Sequence, residues 1–289
     1  MPEEKSSPSV TFEPTGDIKE RGEKAGRDMA RQLGEEAKAK AGFEIPKDLV
    51  RLPSAGKIYP PSSPLYKIQE IEVRQMTAAD EDILTSRALI RSGKAIDMVI
   101  QNCLVDKSIN LDDLLLGDKN RLMISLRTSS YGADYNIKVS CPSCAEESDF
   151  EADLAKLTVN NLELEPTAEG VNSFAFEVPS GRIIEFKFMT SGDQHKISEA
   201  QANLKKATNS QADNNITSRL MNQILSVDGN SDVVGEYVRN MTARDSRALR
   251  KYIDDNEPDV IMKQSFECSA CGVSQEVDLP LTVTFFWPE

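Results

Sequence analysis

The chain has 289 residues, 39% hydrophobic and 28% charged, with a formal net charge of −13 and a pI near 4.8. That composition belongs to a globular protein with enough apolar residues for a sizeable core. It lacks the run of about 18 apolar residues that spans a bilayer, and its acidity argues against a nucleic-acid surface, which needs clustered Lys and Arg.

Residues 1–45 read as an arm outside the core. Met1-Pro2-Glu3-Glu4-Lys5 has no apolar h-region, which points away from secretion. Ser6, Ser7, Pro8, Pro14 and Gly16 oppose regular structure, and the charged, alanine-containing stretch from Asp17 to Ala41 then favours helix. Ile18, Ala25, Met29, Leu33 and Ala37 share one thin stripe. The arm is therefore either solvated or ordered by docking that stripe on a partner.

Residues 46–169 form a first half. Four prolines and a glycine between Pro46 and Pro61 predict an extended strap or a chain of turns, with Ile58 and Tyr59 packed on the domain. Glu70 to Met76 alternates like a half-buried strand. Thr77 and Asp80 then have the spacing of a helix N-cap, and a helix is expected to Ser92, where Gly93 stops it. A second helix, Ala95 to Leu104, buries Ile96, Val99, Ile100 and Cys103, the last as a core thiol. Leu111 to Leu116 reads as a short helix and Asp118 to Ser129 as a longer one ending near Tyr131-Gly132. A strand at Tyr135 to Val139, Cys141-Pro142-Ser143-Cys144 and a strand at Ser148 to Phe150 follow.

Residues 170–289 repeat this order. Ile183 to Met189 predicts a strand, Thr190 and Asp193 a cap, and helices are expected at about 193–206 and 215–226, separated by the polar stretch Thr208 to Asn215. Thr242 and Asp245 form a third cap, before a helix to about Asp254 and the strands Ile261 to Phe266 and Val273 to Leu279 around Cys268-Ser269-Ala270-Cys271. Asp118 precedes Cys141 by 23 residues, and Asp245 precedes Cys268 by 23. This is the pattern of an internal duplication. Phe285, Phe286 and Trp287 close the chain in a predicted strand, where three successive aromatics cannot share one face. Either one is exposed as a protein anchor or all pack on the second half.

The two Cys-x-x-Cys turns carry the chemistry. Each aims two sulfurs at one point, and two together complete a tetrahedral site of Cys141, Cys144, Cys268 and Cys271. Four protein ligands leave no position for water or substrate, so the expectation is one structural zinc per chain and no metal catalysis. The expected fold is α+β, two related halves joined through a zinc-ribbon-like four-cysteine site. Zinc would clip a span of 123 residues between Cys144 and Cys268, and its removal would separate or unfold the halves. A rival arrangement takes one knuckle from each of two chains, making zinc the clip of a homo-oligomer. Disulfides would need an oxidising compartment. A redox pair is disfavoured by Glu146, Glu147 and Asp149, whose charges oppose a thiolate.

The single histidine, His195, lies in Ser191-Gly192-Asp193-Gln194-His195-Lys196, a polar first helical turn, and reads as solvated. No phosphate-loop, dinucleotide, zinc-protease, nucleophile-elbow or EF-hand pattern occurs. Three functional classes are open: a non-enzymatic protein working by contacts, a zinc-ribbon regulator of nucleic acid or a polymerase, and a metal-dependent or thiol enzyme centred on Cys103 or His195.

The strap Leu52-Pro53-Ser54-Ala55-Gly56-Lys57-Ile58-Tyr59-Pro60, the run from Leu126-Arg127 through Tyr131-Gly132 and the knuckle Cys141-Pro142-Ser143-Cys144 together resemble the baseplate hub proteins of T-even-like contractile-tailed phages. The resemblance covers residues from about 50 to 165, more faintly the rest, and leaves the arm outside. It implies a viral structural or assembly protein, made in the host cytoplasm, that forms part of the tail baseplate hub or helps to build it. Its partners would be other hub or tail proteins, with no substrate or reaction. The absence of a nucleic-acid or membrane partner is indicated by charge and apolar-run length.

Overall fold

Strand β1 (Lys47–Arg51) pairs antiparallel with β2 (Glu70–Arg74), Lys47 opposite Arg74. The alternation of β2 buries Ile71 and Val73 and leaves Glu70 and Glu72 in solvent. The computed structural model describes residues 44–208, 215–281 and 283–286. The arm up to residue 43, the middle of the polar stretch at 209–214 and Trp287 lie outside the described residues. The strap between β1 and β2 is a chain of turns, and it buries Leu52, Ile58 and Tyr59 as expected.

The helix predicted from Thr77 to Ser92 is two, α1 (Ala78–Thr85) and α2 (Arg87–Ser92). Ser86 between them is extended, and the Thr85 hydroxyl donates to the carbonyls of Glu81 and Asp82, a local bond that competes with the helix. Gly93 ends α2 in the left-handed conformation, φ 71°. Helix α3 (Ala95–Cys103) buries Val99, Ile100 and Cys103, while the predicted helix at 111–116 is a single 3₁₀ turn, Leu111–Asp113.

The remaining elements are α4 (Leu116–Tyr131), β3 (Asp134–Ser140), β4 (Glu147–Asp153), β5 (Thr158–Asn160), β6 (Phe174–Glu177), β7 (Ile183–Phe186), α5 (Ser191–Thr208), α6 (Asn215–Gln223), β8 (Ile224–Val227), α7 (Val234–Asn240), α8 (Ala243–Asn256), β9 (Asp259–Ile261), β10 (Lys263–Glu267) and β11 (Ser274–Asp278). Four antiparallel pairs, β1-β2, β3-β4, β5-β9 and β10-β11, accompany a three-stranded sheet β6-β7-β8. The class is α+β. Ile224 to Ser226, expected as the end of a helix, instead form β8 with Val227 and add to β7, because pairing there buries Ile224, Ser226 and Val227.

A shift of 127 residues, Cys141 to Cys268, superposes the pattern of the two halves. It carries the first residue of α4, Leu116, onto the first of α8, Ala243, and the buried pair Leu122 and Leu126 onto Leu249 and Ile253. It also preserves hairpin register: Val139 faces Ser148, and Phe266 faces Gln275. A second repeat runs through the helix caps. Arg74-Gln75-Met76-Thr77-Ala78-Ala79-Asp80, Lys187-Phe188-Met189-Thr190-Ser191-Gly192-Asp193 and Arg239-Asn240-Met241-Thr242-Ala243-Arg244-Asp245 share a basic residue, Met, Thr and a buried Asp. Arg74 and Lys187 each bind their aspartate at 2.6 Å. Asp245 accepts instead from the Ser180 N–H at 3.1 Å.

The main core crosses both halves, joining Leu52, Leu84 and Leu126 with Phe186, Leu249 and Ile253. Strand β5 pairs with β9. Gly117 near the start of α4 lies so close to Pro258 and Asp259 that a Cβ would collide with their backbone. Arg127, 1% exposed, donates to the carbonyls of Gly132 (2.5 Å), Asp134 (2.9 Å) and Phe285 (2.7 Å). The predicted closing strand is a 3₁₀ turn, Val283–Phe286. Phe285 and Phe286 are buried, and Phe285 meets Tyr135 edge-on at 5.2 Å. That contact is with the first half, not the second.

Candidate metal centre

Each Cys-x-x-Cys is the turn of an antiparallel hairpin, β3-β4 or β10-β11. The Cys141 N–H donates to the Glu146 carbonyl (2.9 Å) and the Ala145 N–H to the Cys141 carbonyl (2.8 Å); Cys268 with Val273 (3.0 Å) and Gly272 with Cys268 (2.8 Å) repeat both bonds. Closing these turns requires a left-handed residue, Ala145 (φ 60°) in one and Gly272 (φ 69°) in the other. Glycine adopts it freely; alanine does so under strain.

The hairpins meet through a small apolar cluster separate from the main core: Val139 and Phe266 with Cys141 and Cys268, flanked by Ile137, Phe150 and Val277. Phe150 and Phe266 pack edge-to-face at 5.5 Å. This contact brings the knuckles together. Sγ of Cys141 lies 3.7 Å from that of Cys271, Sγ of Cys144 lies 3.7 Å from that of Cys268, and all four fall within 4.8 Å of one another. Tetrahedral thiolates about 2.3 Å from one ion would be spaced about 3.8 Å apart, so the donor set fits a metal ion. Cys141 and Cys268 are buried, whereas Cys144 and Cys271 are exposed.

The knuckle backbone prepares the thiolate. N–H groups of Cys144 and Ser143 bring the Cys141 thiol down to about 7. For Cys144 the Glu146 N–H acts the same way, but desolvation and the neighbouring thiols outweigh it and push that thiol up to about 12. A cation among the sulfurs would remove this mutual opposition.

The other candidates lie elsewhere. Cys103 is buried on α3, and burial pushes its thiol up to about 11 despite Arg74, as suits a core residue. His195 is only partly solvated: its Nε2 lies 2.7 Å from Asp97 and its Nδ1 2.9 Å from Asp112, tying α5 to α3 and the following turn. Among the described residues, only the four cysteines converge as a group of three or more metal-ligating side chains. No described helix is long and apolar enough to cross a membrane.

Sequence reading missed what holds α4, the helix leading into the first hairpin. The buried Asp118 carboxylate accepts from the Ser54 N–H (3.0 Å), the Ser54 hydroxyl (2.6 Å) and the Tyr59 hydroxyl (2.6 Å). Its equivalence to Asp245, 23 residues before a cysteine, was the available signal. Both are buried in the first turn of the helix that precedes a knuckle.

A family profile described as "T4 bacteriophage base plate protein" matches residues 47–287. The match extends well beyond residue 165 and takes in both knuckles. No curated protein and no solved structure matches the chain.

Proposed function

The chain belongs to the T4 bacteriophage base plate protein family, and from that premise we propose that it serves the hub of the tail baseplate, as a hub subunit or hub assembly factor. It works through contacts with other hub or tail proteins and catalyses no reaction. It is made in the host cytoplasm and acts in the virion tail. Its formal net charge of −13 suits protein partners better than nucleic acid.

Its cofactor is one structural zinc per chain, held by Cys141, Cys144, Cys268 and Cys271. The observation that carries this reading is the approach of four sulfurs from two hairpins of one chain to within 4.8 Å. Thiolates favour thiophilic ions, and a closed four-sulfur set is a common structural zinc site. The metal joins a first half, residues 46–169, to a second, residues 170–289; sharing of knuckles between two chains is unnecessary when all four meet in one.

Elemental analysis together with mass in solution tests the site. One zinc per monomer, lost in a Cys268→Ser, Cys271→Ser double variant, is expected; metal-free protein prepared under reducing conditions, or one zinc per two chains, would refute it. The hub role is checked by disrupting the gene in the phage and imaging the particles, where capsids without complete tails are expected and normal tails would be decisive against it.

A further inference from the structure

A groove of about 520 Å³ opens beside the C-terminal end of α8, lined by residues that include Asp254, Glu257, Asp259, Ile261, Met262 and Asp278. Its lining mixes these acids with apolar Ile261, which is 43% exposed, and Met262. Most of the acids have neighbours to satisfy them: Lys251 binds Asp255 at 2.6 Å, Asn120 donates to Asp259 at 3.1 Å, and Lys263 stands 3.8 Å from Asp278. Glu257 differs. Asp254 is exposed to water, whereas Glu257 is only partly exposed, takes no hydrogen bond or ion pair at its carboxylate from a described residue, and feels Arg219 on α6 only through its field.

We propose that this groove docks a lysine- or arginine-bearing segment of another tail protein, its cation pairing with Glu257 and an adjacent apolar side chain resting on Ile261 and Met262. A bare metal ion does not fit, since these carboxylates do not converge on one point as the cysteines do. An extended segment does, because it can place a charge and an apolar group a residue apart on the two surfaces offered. Burial, with the charge of Asp259 adding to it, pushes the Glu257 carboxyl up to about 7, the state of a carboxylate lacking its cation. Only the source of the segment rests on the baseplate reading; the chemistry of the groove does not.

The test measures binding of short fluorescent peptides to the full chain at physiological ionic strength: alternating Lys and Leu, alternating Lys and Ser, and alternating Glu and Leu. The Lys-Leu peptide should bind most tightly. Glu257→Gln should weaken it by about tenfold, whereas Glu147→Gln, an exposed acid on β4, should leave it unchanged. Carboxyl NMR should show the Glu257 midpoint falling when the peptide saturates. Equal weakening in both variants, which signals diffuse attraction to an acidic protein, would overturn the proposal, as would unchanged binding in Glu257→Gln or equal affinity for Lys-Ser. A tail-assembly defect without peptide selectivity would leave the baseplate reading standing and remove this one.

Discussion

At the scale of single residues, two side chains oppose the fold that contains them. Burial raises the Glu257 carboxyl from its ordinary 4.5 to about 7. The folded state therefore holds that proton more tightly than the unfolded chain does. The associated stability is complete below pH 4.5 and disappears as pH rises through about 7. Glu257→Gln should accordingly be more stable than the parent by about 1–3 kcal/mol near pH 8, and equal to it near pH 4, in urea titrations at the two values. Ala145 is the other, since it takes the left-handed turn that Gly272 occupies at the equivalent position. Replacing it with glycine should raise stability by about 0.5–1 kcal/mol, read as a higher melting temperature. The cysteines were legible because their spacing dictates the turn. His195 and Asp118 were not, for their partners come from distant segments: Asp97 lies 98 positions before the histidine and Ser54 lies 64 before the aspartate.

Among elements, local preference and tertiary demand diverge most sharply where α4 crosses β9. Gly117 lies inside a helix, where alanine is favoured by about 1 kcal/mol, so α4 alone would gain from Gly117→Ala. The new Cβ, however, would meet the backbone of Pro258 and Asp259 rather than a yielding side chain. The second effect wins, and the substitution should cost about 2–3 kcal/mol in chemical denaturation. The same override explains β8: Ile-Leu-Ser-Val following a helix reads as more helix until the exposed edge of β7 is known. The caps were readable from Thr and Asp alone. Their basic partners were not, because Arg74 and Lys187 belong to the end of the preceding strand region and approach the aspartate only once the turn has formed.

For the whole molecule, the order of elements leading to each knuckle could be read from sequence, but the interior they share could not. A sequence with two clipped halves suggests that metal removal separates them. The described residues form two apolar clusters, and only the smaller one includes knuckle cysteines, Cys141 and Cys268. Chelation under reducing conditions should therefore loosen the knuckle ends of the β3-β4 and β10-β11 hairpins while the main body persists. Hydrogen exchange should show rapid loss of protection at the knuckle ends, 139–148 and 266–275, with Tyr135, Ala152, α4 and α8 held by the main core; simultaneous exchange throughout would indicate a single cooperative unit. The bond from Arg127 to the Phe285 carbonyl adds a constraint of timing. These residues are 158 positions apart, so at a translation rate of about 5–20 residues per second the guanidinium leaves the ribosome roughly 10–30 s before its acceptor is synthesised. During that interval α4 cannot complete its interior, and a chaperone or a wrong partner has its chance. Because Cys268 and Cys271 precede Phe285, the main core closes only after both knuckles have been synthesised, and a chain stopped before Phe285 leaves the Arg127 guanidinium without that acceptor.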